Sequence, residues 1–469
     1  MIMKTARKQR DAMKKASPKE FKKTAVFINK ALIVLATVTA FGQVVFDFYR
    51  VSLFYFWGNI LLFLLYVFLF VLFASVYNCF KIGVLFLKEI VFSYVLAASV
   101  TNFITYCILS LLARKMLDWW PLVFLTVAQV FLCSLLYWLA NDIYFRLYPV
   151  RNAVFICGRN KNDAALIRKF NRSKKRQLVS LVLFESDGFE ALAEKIDGFS
   201  SVILGEIDYT LRLRLLDYCF EHDKRLYLMP AMQDIMIHLA HDIFIGDSAM
   251  LLLKNRGLTI EQRLMKRAVD LILAGVGLIV LSPLLFIVAI AIKCEDGGKV
   301  FYKQERLTLN GKIFTIIKFR SMREDAEKGG EAQLAQKNDA RVTRVGRVIR
   351  MLRIDELPQL INVLKGEMSV VGPRPERPEL FEKICEDFPQ FRYRLKVKAG
   401  LTGYAQIYGK YNTTFEDKVK MDLIYIEHCS LLLDLKLILS TLKVLFVRES
   451  TEGVDAQSAG AKKNGAKKK

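Results

Sequence analysis

No two cysteines in this chain stand at CxxC spacing, although it holds eight, at positions 79, 107, 133, 157, 219, 294, 385 and 429. Scattered thiols exclude a disulfide framework and a cysteine zinc site, and they suit a reducing compartment. Acids are scarce as well: 46 Asp and Glu stand against 69 Lys and Arg, a formal charge of +23. A nucleic-acid-binding motif that would use this charge is missing, and the basic residues cluster beside apolar runs. Nucleic acid is therefore not the expected partner. A cleavable signal peptide is not visible either. The first 25 residues carry nine Lys or Arg, and the apolar run behind them is long enough to stay in a membrane.

What is present is apolar sequence in quantity, 53% of 469 residues, enough chain for about three domains. Stretches 26–46, 51–77, 84–113 and 119–141 are each of spanning length, since about 20 residues cross the hydrocarbon. Trp119, Trp120 and Trp138 lie near their ends, as interfacial anchors do. The basic N-terminus (1–25) is expected in the cytoplasm, and an even number of spans over 26–145 returns the chain there. Lys88 and Glu89 in the third segment either pair inside the bundle or mark a span that starts later.

From 150 to 248 short buried strands, "NAVFICG", "LVSLVLF", "SSVILG" and "RLYLMP", alternate with helical segments. That order predicts a Rossmann-like α/β domain. The turn after the first strand, "CGRNKND", has one glycine where a dinucleotide fingerprint needs three, so no cofactor is expected there. His238 and His241 are three residues apart without a third ligand nearby, which argues against a metal.

Residues 268–292 form another apolar stretch of spanning length. Basic residues flank it on both sides: Arg263, Lys266 and Arg267 before, Lys293, Lys299 and Lys303 after. A crossing would carry one cluster out of the cytoplasm, against the positive-inside rule. Ser282-Pro283 sits at its midpoint, where proline removes a donor and the serine hydroxyl can serve the freed carbonyl. The stretch is expected to break there, entering and leaving by one face. A fifth span kinked at the proline is the competing reading.

Further on, "VFYKQERLTLNGKIFTIIKFRSM" reads as a β-hairpin turning at Asn310-Gly311 and presenting Lys318 and Arg320. A polar stretch (323–341) follows, then Arg341, Arg344, Arg347, Arg350 and Arg353 at three-residue spacing, expected along one helix stripe. In "IDELPQLINVLKG", Pro358 is tolerated only in a helix's first turn. Asp355 then falls near the N-cap and Glu356 at N1, at the positive end of the dipole, where Asp355 stays ionised. A divalent cation there could join both acids to a diphosphate. Arg374, held between prolines in "GPRP", is preset for phosphate recognition. "GLTGYAQ" with Gln406, a helix carrying Asp422 and a closing amphipathic segment complete the region. The stretch 451–469 reads as a disordered basic tail.

Over roughly 259–450, "KFRSM", "DELPQLINVLKGEMSVVGPRP", "GLTGYAQ", Lys266-Arg267 and the Ser282-Pro283 break stand in order. Together they resemble the bacterial sugar transferase family, the monotopic phosphoglycosyl transferases. The preceding spans and α/β domain resemble its long-form members. The resemblance implies a membrane protein of the bacterial inner membrane: four N-terminal transmembrane helices, a Rossmann-like α/β domain, then a cytoplasmic α/β catalytic domain with a re-entrant helix. It implies transfer of a hexose-1-phosphate from a UDP-sugar to undecaprenyl phosphate, with release of UMP, for surface polysaccharide synthesis. By motif position Asp355 is the nucleophile and Glu356 its partner in holding Mg²⁺. Arg374 belongs to the nucleotide site, and Lys318, Arg353 and Asp422 are further substrate-binding candidates. Membrane lipids and a homodimer are the remaining implied partners. Two positions depart from the pattern: Ala399 stands where proline is usual, and Lys410 where arginine is. Membrane-bound nucleotide-sugar dehydratases share the layout, but their glycine-rich fingerprint and YxxxK pair are missing from the C-terminal half. A non-catalytic scaffold is the third reading.

Overall fold

In a computed structural model the described residues are 24, 26–49, 56–147, 151–158, 163–172, 177–253, 257–323, 341–409 and 413–445. The polar stretch 324–340, Lys410 and the tail 451–469 lie outside them, as does most of the basic N-terminus. The chain divides into two compact units, Met1–Met229 and Pro230–Lys469.

The first unit begins with α1 (Val26–Tyr49), α2 (Phe56–Val76), α3 (Leu87–Leu112) and α4 (Trp120–Leu147). These four, and one helix of the second unit (Ile260–Asp296), are the described helices long and apolar enough to cross a membrane. Glu89 does not pair with Lys88. Its carboxylate accepts from Phe86 N–H at 3.0 Å and caps the start of α3, so that span starts later than its first apolar residue. The apolar runs concealed a polar seam. Tyr66 donates to Asn102 Oδ1 (2.8 Å), Asn102 to Gln129 Oε1 (2.9 Å), and Gln129 to Tyr66 Oη and Thr37 O (both 2.9 Å). All four residues are buried, and a bundle in lipid must satisfy such groups internally.

Next come β1 (Arg151–Cys157), α5 (Asp163–Arg172), β2 (Gln177–Phe184), α6 (Phe189–Asp197), β3 (Ser201–Leu204), α7 (Tyr209–Glu221) and β4 (Arg225–Leu228). The strands pair in parallel in the order β2-β1-β3-β4. Val154 and Ile156 face α6 and α7, while Ala153 and Phe155 face α5. This is the expected doubly wound domain. At the crevice between β1 and β3, Gly158 N–H donates to the buried Asp163 carboxylate at 3.0 Å. The protein's own anion thus sits where dinucleotide folds seat a pyrophosphate.

The second unit starts earlier than the sequence suggests. Residues 230–248 belong to it because Met232 and Ile235 of α8 (Met232–His238), with Leu239 just after it, bury in its core. Then follows a hairpin, β5 (His241–Ile245) and β6 (Ser248–Leu252). His238 ends α8 and His241 opens β5, so the two do not share a helix face.

α9 (Ile260–Asp296) runs for 37 residues through Pro283 without an assigned break. The expected interruption is reduced to one carbonyl. Pro283 cannot donate to Ile279 O, and Ser282 Oγ donates to it instead at 2.7 Å. The core gathers β7 (Phe301–Leu307) and β8 (Ile313–Phe319), antiparallel about the Asn310-Gly311 turn, with α10 (Arg344–Met351) and α11 (Leu360–Lys365). β9 (Ser369–Val371), α12 (Pro378–Asp387), β10 (Gly400–Thr402), α13 (Tyr404–Tyr408), α14 (Phe415–Glu427) and α15 (Leu431–Leu445) complete it. The five-arginine stripe does not form. α10 ends at Met351, so Arg341 precedes it and Arg353 lies beyond it in a left-handed turn (φ 54°).

Candidate active site

The segment carrying the acids is built from a turn and not from the first turn of an α-helix. Arg353 reverses the chain after α10, and Ile354–Gln359 then forms a 3-10 turn that leads into α11. Pro358 fits there because its fixed φ lies within the 3-10 range. Asp355 is consequently inside the turn, and Arg353, not Asp355, holds the N-cap position. Both acids still lie ahead of α11, on its N-terminal side.

Glu356 is the electrostatic hub. Its Oε1 accepts from Arg374 Nη2 at 2.7 Å and Lys318 Nζ at 3.4 Å, and Arg353 Nη1 lies 3.8 Å from Oε2. Its side chain is 12% exposed, so the pairs are poorly screened. Although burial alone would raise Glu356, Arg374, Lys318 and Arg353 hold it well below the ordinary carboxylate range. Burial lowers Lys318, opposed by Glu356. Asp355 goes the other way: burial, then the charge of Glu356, pushes it up to about 6 against Lys318, Arg350 and Arg374. The helix-end argument favoured an ordinary ionised acid, and burial outweighs it. At neutral pH Asp355 is mostly ionised, yet more basic than a solvated carboxylate.

Two frameworks hold these charges together. The buried Asn362 of α11 accepts from Ile317 N–H (3.0 Å) and donates to Thr315 O (2.8 Å) and Glu367 Oε2 (2.7 Å), fixing β8, and thereby Lys318, against the turn. The sequence reading passed over Asn362. Its signal was an uncharged polar residue in the apolar run "LINVLKG". Arg374 leaves β9 through Gly372, which packs backbone to backbone on β10. A Cβ on Gly400 would lie 2.0 Å from Gly372 N, and one on Gly403 would lie 2.1 Å from Gly372 O. At the position lacking the usual proline, Ala399 N–H donates to Thr308 Oγ1 (3.1 Å), which donates to Glu367 O (2.9 Å). A hydrogen bond stands where the ring would have stiffened the chain.

Of the residues named from sequence, the structure gathers Asp355, Glu356, Lys318, Arg353 and Arg374. Asp422 stands apart: it is 1% exposed, and its Oδ2 lies 2.9 Å from Arg394 Nη2. Arg394 also lies 3.7 Å from Glu376, two residues past Arg374. Asp422 thus supports the base of the "GPRP" loop from below. Ser282 and Pro283 lie in the exposed apolar middle of α9, near Ile279 and Phe286. Gln406 Nε2 is buried without a hydrogen-bond partner among the described residues.

No group of three His, Cys, Asp or Glu that could hold a metal exists among the described residues. The Asp355 carboxylate makes no hydrogen bond or ion pair among them, and Glu356 Oε2 has only the 3.8 Å contact. That donor set fits a hard cation taking one or two protein oxygens and completing its shell with phosphates and water, as Mg²⁺ does.

The Bacterial sugar transferase family model matches residues 261–448, which contain every element of this site. The UDP-N-acetylgalactosamine-undecaprenyl-phosphate N-acetylgalactosaminephosphotransferase of Aeromonas hydrophila is 42% identical over 183 residues, 38% of this chain and 43% of that protein. The UDP-glucose:undecaprenyl-phosphate glucose-1-phosphate transferase of Escherichia coli is 40% identical over 193 residues, 40% of this chain and 41% of that protein. The chain thus spans about two fifths of the length of these two relatives. The protein of the same description from Caulobacter vibrioides is 38% identical over 220 residues, 45% of this chain and 81% of that protein. The match to most of that relative, together with the family model over 261–448, places the chain: it belongs to the bacterial sugar transferase family.

Proposed function

We propose that the protein transfers a sugar-1-phosphate from a UDP-sugar to undecaprenyl phosphate by way of a covalent intermediate on Asp355. The observation that carries this reading is the division of labour in the pair. Glu356 is consumed by Arg374, Lys318 and Arg353, while Asp355 is left uncommitted and unusually basic. An Asp355 oxygen attacks the phosphorus that bears the sugar. The bond from that phosphorus to the bridging oxygen breaks, and UMP leaves with the oxygen. A phosphate oxygen of the lipid then attacks the same phosphorus, and Asp355 departs as a carboxylate. Arg374 and Lys318, already gathered on Glu356, face the diphosphate and stabilise charge on the leaving UMP.

Magnesium belongs to this reading: Asp355 and Glu356 Oε2 would hold it, and it would supply charge neutralisation at the diphosphate. The relatives' printed names point to glucose and N-acetylgalactosamine as donor sugars, and no residue described above separates them.

Re-entry of α9 on the cytoplasmic side of the inner membrane is part of the same proposal. What supports it is that both ends of the helix dock on one domain. Ala274 joins the main core and a Cβ on Gly277 would lie 3.3 Å from Leu360 Cδ1, while Val288 and Ile292 pack on Phe319 and Ile349. Between them Ile279, Val280, Phe286 and Ile287 stay exposed, as a lipid-facing segment would. A transverse helix would set its two ends on opposite faces. The experiment is UMP release from a panel of UDP-sugars by the full chain in lipid, with Asp355→Asn as control. Release by wild type and none by the variant supports the reading, and equal release by both contradicts it.

A further inference from the structure

The Lys266-Arg267 pair marks the sequence, yet the chemistry proposed above gives it no task. In the structure one turn of α9 reaches four separate elements of the domain, α15, α14, α11 and β9. Lys266 Nζ lies 2.5 Å from Asp434 Oδ2 on α15 and donates to Tyr425 Oη at 3.0 Å. Arg267 donates to the Val363 and Leu364 carbonyls, at 2.6 and 2.8 Å. These close the C-terminal end of α11, the helix that the Asp355-Glu356 turn leads into. Asp270 Oδ1 accepts from Val370 N–H at 2.9 Å and from Ser369 Oγ at 3.1 Å. Those residues form β9, which runs through Gly372 and Pro373 into Arg374.

Arg267 and Asp270 are three residues apart, neighbours on one helical face. One therefore grips the far end of the helix that follows the Glu356 turn, and the other grips the strand that leads into Arg374. Asp270 is 5% exposed, so losing its bonds would leave buried donors on β9 unpaired. We propose that Arg267 and Asp270 are positioning residues, and that this turn of the membrane helix sets the spacing between Arg374 and Glu356. The domain's phosphate-binding arginine is then held in register with the acids by the segment that meets the lipid. The kinetic part of this inference rests on the proposed function, whereas its structural part does not.

The test uses the full chain in lipid nanodiscs, with Asp270→Ala, Asp270→Asn, Arg374→Ala and the Asp270→Ala/Arg374→Ala double variant. Asn keeps an oxygen that accepts both hydrogen bonds, so Asp270→Asn should stay within about threefold of wild type in kcat/KM for UMP release. Asp270→Ala should lose about 10- to 100-fold, the scale of misplacing a catalytic group by about an ångström. If Asp270 acts through Arg374, the double variant is no slower than Arg374→Ala alone. Losses that multiply, as for independent sites, would overturn the proposal.

Hydrogen exchange at Val371, Gly372 and Arg374 supplies a readout free of activity: faster in Asp270→Ala, unchanged in Asp270→Asn. Unchanged exchange in both overturns the proposal even where activity falls. Should Asp270→Ala not fold, Arg267→Met paired with Glu356→Gln gives the same cycle from the other side, and multiplying losses there count against it equally. A wild type that turns over no UDP-sugar would defeat the proposed function, and exchange alone would then decide this inference.

Discussion

Arg374 Nη2 donates to Glu356 Oε1 at 2.7 Å, while the neighbouring Asp355 accepts from none of the described residues. Two acids adjacent in sequence therefore have opposite electrostatic lives. One is a depressed carboxylate locked to three cations, and the other is raised by burial and by its neighbour's charge.

The raised value of Asp355 gives a pH dependence with a definite sign. The attacking form is the carboxylate, so kcat/KM for UMP release should be level above about pH 7. It should fall about tenfold per unit below about pH 6, where Asp355 protonates. A profile of initial rates between pH 5 and 8.5, with protein integrity checked at each point, measures it.

The same shift has a stability consequence. A carboxyl whose folded value is raised destabilises the fold when ionised. That cost is fully present above about 6 and vanishes below the unfolded value of about 3.9. Asp355→Asn should therefore melt higher than wild type at pH 7.5, while releasing no UMP. Its advantage should shrink as the pH falls through that window. Thermal melts at pH 7.5 and pH 4.5 test this.

Glu356→Gln leaves Arg374, Lys318 and Arg353 crowded without their shared counter-charge. Breaking one partner of a buried pair costs about 3–5 kcal/mol, and the exposure of Arg374, 43%, discounts this to about 1–3 kcal/mol. Chemical denaturation should show a loss of that order. UMP release should fall as well, because the cations no longer face the diphosphate together.

Ala399→Pro would restore the residue usual at this position, yet it removes the N–H that donates to Thr308 Oγ1. The variant should lose about 0.5–1.5 kcal/mol, the net value of a hydrogen bond. The loss should disappear in a Thr308→Val background. Equal losses in both backgrounds would mean that the bond is not what holds this loop.

Much of this was legible because sequence patterns report local chemistry well. The apolar runs marked α1 to α4, the alternation of strands and helices marked the parallel sheet, and Asn310-Gly311 marked the β7–β8 turn. The two prolines of "GPRP" located Arg374. What escaped depends on contacts between distant segments. The polar seam of Tyr66, Asn102 and Gln129 lies inside runs whose average is apolar. Asn362 and Asp270 are recognised only by the strands they hold, 45 and 100 residues away. The arginine stripe failed for a local reason: three-residue spacing continues past a helix end as readily as within it, and Arg353 is where the chain turns. Burial, which no sequence pattern reports, raised Asp355 to about 6, although it remains mostly ionised at neutral pH.

The covalent role of Asp355 is tested most directly by incubating the lipid-embedded chain with a UDP-sugar and no polyprenyl phosphate, then measuring nucleotide and protein together. The account predicts a burst of UMP approaching one equivalent per chain. The mass of one sugar phosphate should appear on the peptide containing Asp355, and leave it when undecaprenyl phosphate is added. UMP released only once the lipid is present, with that peptide unmodified throughout, would contradict it.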